Sequence, residues 1–238
     1  GSQVAINGEA AVYFSNKVKS ISGGDVQLRF HEPNALVPSL EVWDAVKNGS
    51  VDAGYTTPGY HAGKIPAVSY FTAVPFGPGA SEYHGWMEYG GGQQLKDRIY
   101  GEYGLKALNC LTHAPETSGW FRKKINNVEE LKGMKMRFFG LGAMVMSKLG
   151  VSTQLLAGGD IYPALEKGVI DATEFSMPTH DLSYGFYQLA KFNYFPGWHQ
   201  QTSIGELLMS TKGWGGLTKT QQAVINTCLL YTSPSPRD

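Results

Sequence analysis

The sequence predicts an α/β protein, and three observations within the stretch 126–175 carry that prediction. Met134, Met136 and Phe138 alternate with Lys135, Arg137 and Phe139, which is the period of a strand. Gly140 and Gly142 then open a run of good helix formers, Ala143 to Lys148, which Gly150 closes. Beyond it, Val151 to Leu156 and Val169 to Phe175 read as two more strands. Between them lies a helical segment, started by Gly159 and Asp160, with Ile161 and Leu165 four apart on one face and stopped by Gly168. Such a succession, joined by short connections, builds a layered parallel or mixed sheet. It also sets Arg137 and Glu174 near the ends of neighbouring elements, where open α/β sheets hold their ligands.

The remaining elements follow from the same rules. Asn7 to Ile21 carries Ala11, Phe14, Val18 and Ile21 three or four apart, so it is expected to be an amphipathic helix ended by Gly23-Gly24. Val26 to Phe30 is expected as a strand. Leu40 to Lys47 is expected as a helix with Leu40, Trp43 and Val46 on one face, and Val51 to Thr56 as a strand entering the loop TTPGYHAGK. Loops at strand ends carry function, and Tyr60 is the candidate there, with a plain surface tyrosine as the alternative. Ser69 to Val74 is expected as a buried strand. Ser81 to Glu88 and Gln93 to Tyr103 are expected as helices around Gly90 to Gly92, a hinge rather than a phosphate loop because no Gly-Lys-Ser/Thr ending follows. Lys106 to Leu111 and Thr202 to Met209 are expected as strands. Thr218, three residues before Gln221, is the expected cap of a final helix.

Bulk properties narrow the function classes. With 20 basic and 20 acidic residues the net charge is zero, and no basic run exists, so nucleic acid and anionic membrane are not expected partners. No apolar run reaches the ~18 residues of a membrane span. Gly1-Ser2 begins no basic-then-apolar leader, so a signal peptide is expected to be absent from this chain. Cys110 and Cys228 stand far apart and leave the redox compartment open. His113, His180 and His199 lack the local spacing of a zinc site, and no serine or cysteine stands in a nucleophile elbow, so catalysis is not expected. One rival comes from the enzyme class. Gly140-Leu141-Gly142-Ala143-Met144-Val145 nearly fits the dinucleotide fingerprint, with Asp160 eighteen residues past Gly142, although Val145 stands where a small residue belongs.

Several segments together resemble a known family. LKGMKMR, IYPALEKGVIDATEF, EVWDAVKNGSVDAGYT, PAVSYFTAVPFG, SGWFRKKINNVEELKG and NYFPGWH are similar to the solute receptors of tripartite ATP-independent periplasmic (TRAP) transporters, dicarboxylate-receptor type. WFRKKI and FPGWH resemble the branch that binds 2-oxo acids and related monocarboxylates. The resemblance covers most of Gly1 to Met209. It implies a two-lobed periplasmic-binding-protein-like fold, truncated at both ends. It implies a first, incomplete lobe over 1–111, a second over 112–201, and a crossing strand and the start of a C-terminal helix over 202–228. The residues 229–238 drop the helical pattern and carry two Ser-Pro pairs, so they are expected to be a non-native tail, with a natural disordered tail as the alternative. The resemblance further implies a periplasmic receptor without catalysis that closes on a small carboxylate and serves the membrane subunits of a TRAP transporter. A sensory ligand-binding module is the alternative that the same fold allows.

The resemblance also assigns roles. By position alone Arg137 is expected in a structural or surface salt bridge; the resemblance instead matches it to the arginine of the family's LKGxKxR segment, which clamps the ligand carboxylate, and a guanidinium fork suits that task. Glu174 matches a glutamate that binds a metal ion touching the ligand, with a carboxylate capping the helix that Ser176-Met177-Pro178 starts as the alternative. Phe175 stands where the branch usually has Trp and would offer its backbone carbonyl. Glu116 lies at or beside a position held there by Gln. Two carboxylates suit a hard cation and favour calcium over sodium, so a bound calcium or sodium ion is the expected cofactor. Glu116 facing solvent is the alternative. Trp198 is expected either to line the ligand pocket or to belong to the lobe core.

Overall fold

The computed structural model describes residues 7–230. In chain order, α1 (Asn7–Ile21), α2 (Val42–Lys47) and β1 (Ala53–Thr56) are followed by α3 (Ala80–Tyr89), α4 (Gly92–Glu102) and β2 (Leu105–His113). Next come β3 (Gly119–Phe121), β4 (Lys135–Arg137), α5 (Gly140–Lys148), β5 (Ser152–Gln154), α6 (Gly158–Glu166), β6 (Ala172–Thr173), α7 (Pro178–Tyr184) and β7 (Phe192–Tyr194). The chain ends on β8 (Ser203–Ser210), α8 (Thr211–Gly216) and α9 (Lys219–Leu230). Two compact units divide these elements. One takes the described residues up to His61, Gly85–Thr112 and those from Ile204 on; the other takes Ala62–His84 and His113–Ser203. Residues 62–84, which the sequence kept with the first lobe, cluster with the second unit.

The first unit is built on the sheet β1-β8-β2. β1 and β8 run antiparallel, with Ala53 opposite Met209 and Thr56 opposite Glu206. α1 buries Phe14 and Val18, one helical turn apart, against Leu108, Leu207, Met209 and Ile225. α9 carries the expected cap: the Thr218 hydroxyl accepts from the Gln221 amide at 3.2 Å and the Gln221 side chain accepts from the Thr218 amide at 2.9 Å. α9 runs two residues into the segment read as a non-native tail, and the rest of that segment lies outside the described residues.

Two expected strands are absent. Val26 to Phe30 alternates in character but forms no ladder. The first half of Ser69 to Val74 falls in a 3-10 helix, Pro66–Phe71, because Pro66 supplies a fixed φ at its first turn and lacks a donor for a sheet. A short apolar run does not by itself distinguish the two states.

The second unit holds the five-stranded mixed sheet β5-β4-β6-β3-β7. β4 pairs in parallel with β5 and β6, and β3 pairs antiparallel with β6 and β7. Successive side chains of β3 serve opposite faces. Trp120 joins Ile161, Leu165, Ile170 and Phe186, while Phe121 joins Met136, Phe138, Met146 and Val151. A sheet with apolar clusters on both faces is rigid, and it leaves the strand ends as the place for polar chemistry.

Candidate functional site

β4 and β6 end side by side, with Arg137 opposite Thr173, and the Glu174 amide donates to the Arg137 carbonyl at 3.2 Å. That register delivers Arg137 and Glu174 to the same strand edge. Arg137 is 1% exposed and Glu174 fully buried. Arg137 Nη1 donates to Glu174 Oε1 at 2.8 Å and to the Glu174 carbonyl at 2.9 Å, and Nε donates to the Leu156 carbonyl at 3.2 Å. Nη2 makes no hydrogen bond among the described residues. The ring of Phe175 lies under the guanidinium at 5.1 Å and packs edge-on against Tyr184 and Phe186.

Glu116 and His199 arrive from two other segments. The Glu116 carbonyl accepts from the Gly197 amide at 2.7 Å, and the Glu116 amide donates to the Gln200 carbonyl at 3.4 Å. Gly197 is required there. A Cβ on it would stand 2.8 Å from the Glu116 carbonyl oxygen and 3.0 Å from the His199 ring. His199 packs edge-on against Phe138 at 5.0 Å and against Trp198 at 5.8 Å. Gly142 makes room as well, since a Cβ would meet the Phe138 ring at 2.5 Å and the Cβ of His199 at 3.0 Å. The glycine that completes the near-dinucleotide pattern is thus a packing residue for Phe138 and His199.

The result is a cluster with unused capacity. Glu116, Glu174 and His199 each present a donor atom within 4.8 Å of the others, and all three residues are buried. His199 Nε2 stands 3.5 Å from Glu116 Oε2 and 3.6 Å from Glu174 Oε2. Neither His199 nitrogen nor Glu174 Oε2 makes a hydrogen bond among the described residues. Burial alone would raise Glu174, but the Arg137 guanidinium and the His199 ring outweigh it and hold the carboxyl below its usual range. Glu116, without an arginine of its own, is pushed up by burial and by the Glu174 charge, against the pull of His199. Burial lowers His199, yet the two carboxylates prevail and raise it to about 9. Beside the cluster, the fully buried Asp181 accepts from Trp120 Nε1 at 2.8 Å and from the Thr117 hydroxyl at 3.3 Å through Oδ2, while its Oδ1 has no partner. Burial raises this carboxyl to about 8, with Glu116 and Glu174 adding to the effect.

Of the residues singled out on sequence, Arg137, Glu174, Phe175 and Glu116 meet in the second unit. Glu116 is 6% exposed, so it does not face solvent. Trp198 is half-buried beside His199, and it also lines a cavity of about 270 Å³ with Phe121, Met146 and Tyr194, whose walls include none of Arg137, Glu174 and Glu116. Tyr60 belongs to the first unit, on the 3-10 turn Pro58–His61. His199 was passed over because its partners come from 83 and 25 residues away. The sequence held one signal for it, a glycine two residues before a histidine in FPGWH.

The model of the bacterial extracellular solute-binding protein family 7 (DctP) matches residues 2–233. The chain belongs to this family. A curated relative of this DctP chain, the monocarboxylate 2-oxoacid-binding periplasmic protein of Nostoc sp., is 38% identical over 213 residues, which is 90% of the chain and 58% of the relative. The chain thus spans less than two thirds of that relative's length. Among solved structures, a TRAP transporter solute-binding protein of Bordetella bronchiseptica superposes with a TM-score of 0.94 at 35% identity, covering 98% of this chain and 69% of that one; calcium and picolinate copurified in its active site. A TRAP periplasmic solute-binding protein of Pseudoalteromonas atlantica, with bound sodium and pyruvate, gives 0.94 at 33% identity over 98% and 70% of the two chains. The family and these neighbours are solute receptors, not enzymes, with an α/β fold. Among the described residues of this DctP chain, no helix is long and apolar enough to cross a membrane.

Proposed function

We propose that this chain is the ligand-capturing part of a periplasmic receptor for a small monocarboxylate, a 2-oxo or 2-hydroxy acid, serving the membrane subunits of a TRAP transporter. The observation that carries the reading is the unused capacity beside the Arg137–Glu174 pair. Among the described residues, Glu174 Oε2 and both His199 nitrogens are buried without a hydrogen-bond partner, while the hydrogen bonds of Arg137 run through Nε and Nη1. Buried polar groups are normally satisfied, so a set of unsatisfied ones marks a place that a ligand completes. The relatives that bind pyruvate, picolinate and 2-oxo acids support the choice of ligand.

Arg137 has the task of taking the acid's carboxylate through Nη2, while its Nη1 stays on Glu174 and keeps that side chain in place. Glu116, Glu174 and the Phe175 carbonyl are the residues assigned to a cation, and the donor set fits one because two buried carboxylates otherwise face each other across a ring. A bound ion would supply positive charge that draws the acid's carboxylate to these residues. Acid and ion then raise each other's affinity by the same factor. Titration calorimetry with pyruvate tests this on chelator-stripped protein, with and without added calcium. Calcium is expected to tighten binding in the wild type and to have no effect in Glu174→Gln. Equal pyruvate affinity with and without calcium, on protein confirmed metal-free, would remove the ion from the reading.

A further inference from the structure

We propose that His199 is a third protein ligand to the cation, through Nε2, and that this donor makes the site bind a borderline divalent metal ion such as cobalt(II) or zinc(II) more tightly than calcium. The inference rests on the cation part of the reading above and adds a residue and a metal class to it. Three observations carry it. Nε2 approaches Glu116 Oε2 and Glu174 Oε2 almost equally, at 3.5 and 3.6 Å, and makes a hydrogen bond to neither. Ligand atoms about 2.0–2.2 Å from a metal and a tetrahedral angle apart stand roughly 3.4 Å from each other, so these separations are those of donors sharing an ion. The ring is also packed by the protein itself: Phe138 and Trp198 hold it edge-on, and Gly142 and Gly197 give it the room that a Cβ, 3.0 Å from His199 at either position, would take.

The supporting contacts orient the other two donors. Arg137 Nη1 on Glu174 Oε1 turns Oε2 toward Nε2, and the Gly197 amide fixes the Glu116 backbone. Partners of this kind, one step out from the ion, hold the ligands of metal sites in position. The chemistry of the set decides the metal class. Oxygen donors alone suit sodium, magnesium and calcium, whereas an imidazole among them shifts the preference to cobalt, nickel, copper and zinc. The contrary arrangement has His199 as an imidazolium lying between two carboxylates with no ion, and the test below separates the two.

Chelator-stripped protein is titrated with cobalt(II), followed by visible absorption, and with calcium, followed by heat. Cobalt(II) is expected to bind at least ~10-fold tighter than calcium, and His199→Gln to lose at least ~10-fold in cobalt(II) affinity while losing less than ~3-fold for calcium. A spectroscopic measurement accompanies it: pulsed electron paramagnetic resonance of the wild type and of His199→Gln, each holding no more than one equivalent of copper(II). Coupling to an imidazole nitrogen, absent from the His199→Gln spectrum, is expected. Cobalt(II) affinity in His199→Gln within ~2-fold of the wild type overturns the proposal, as does a wild-type spectrum without that nitrogen. If calcium still tightens pyruvate binding in that case, only the role of His199 falls. If pyruvate ignores every cation while the nitrogen coupling is present, the bridging reading falls and the His199 ligand stands.

Discussion

Lys96 with Glu206 in the first unit, and Arg137 with Glu174 in the second, are both cation–carboxylate pairs at 2.8 Å with side chains at most 1% exposed. The first pair is closed on all sides. Lys96 also donates to Asn109 Oδ1 at 2.8 Å, and the Tyr100 hydroxyl lies 3.1 Å from both oxygens of Glu206. The second pair is open: Arg137 Nη2, Glu174 Oε2 and both nitrogens of the neighbouring His199 have no hydrogen-bond partner among the described residues. Desolvating a charge costs several kcal/mol, which good geometry and full hydrogen bonding offset. The first unit meets that condition with its own residues, so its pair serves the fold. The second unit leaves the condition unmet among the described residues, which supports the proposal that its pair serves binding.

Breaking the closed pair is expected to produce the largest effect. Lys96→Met leaves Glu206 buried without its cation and should destabilise the protein by about 3–5 kcal/mol in chemical denaturation. Acid affinity, measured where the variant is still folded, should stay at the wild-type value. A loss in affinity as large as that from altering Arg137 would mean that the two pairs do not divide the work as described.

The open pair is expected to respond the other way round. Arg137→Lys keeps the charge and loses the guanidinium fork, so pyruvate affinity in titration calorimetry should fall by ~10-fold or more, following the ~1.5–3 kcal/mol of a charged hydrogen bond. Its stability should change less than that of Lys96→Met. Equal affinities for wild type and Arg137→Lys would take Arg137 out of the site.

Asp181 sharpens the comparison through pH. Its folded pKa of about 8, against 3.8 for the ordinary group, means that the native state keeps a proton the unfolded state has released. Stability from this group is therefore fully present below pH 3.8 and is lost as the pH rises toward 8. Asp181→Asn keeps an oxygen for Trp120 and removes the titration. Its melting temperature should exceed that of the metal-free wild type at pH 8 by at least ~2 °C, about 1 kcal/mol, with the gap closing toward acid pH. Melting curves that stay parallel across the pH range would show that Asp181 is not held neutral.

What was legible in the sequence, and what was not, follows the reach of each interaction. The span Asn7–Ile21 was legible because a helix buries residues three and four apart, here Ala11, Phe14 and Val18, and such spacing is local; Ile21, expected on the same face, is 48% exposed at the helix end. Arg137 and Glu174 were readable as a pair because alternation and short connections place parallel strand ends together. Val26 to Phe30 shows the limit of alternation, which marks a strand only when a partner offers a ladder. His199 shows the limit of motif spacing. Its partners Glu116 and Glu174 are joined to it by the turn at Gly197 and by the ends of the sheet, and no local pattern encodes that meeting. The glycines of the near-dinucleotide pattern were visible, but that Gly142 yields space to Phe138 and His199 emerges only from packing.

Trp198 gives the molecule an optical consequence. Its indole ring lies 5.8 Å from the His199 imidazole and 5.9 Å from Phe138, and it is half-buried. Indole emission responds to the charge and polarity of whatever lies against the ring, and the group here belongs to the site itself. On the proposed reading, the protein carries its own fluorophore beside the place where acid and ion would bind. Comparing the wild type with Trp198→Phe, which keeps Trp43, Trp86, Trp120 and Trp214, would isolate that signal by difference, turning a packing contact into a label-free sensor of cation and acid.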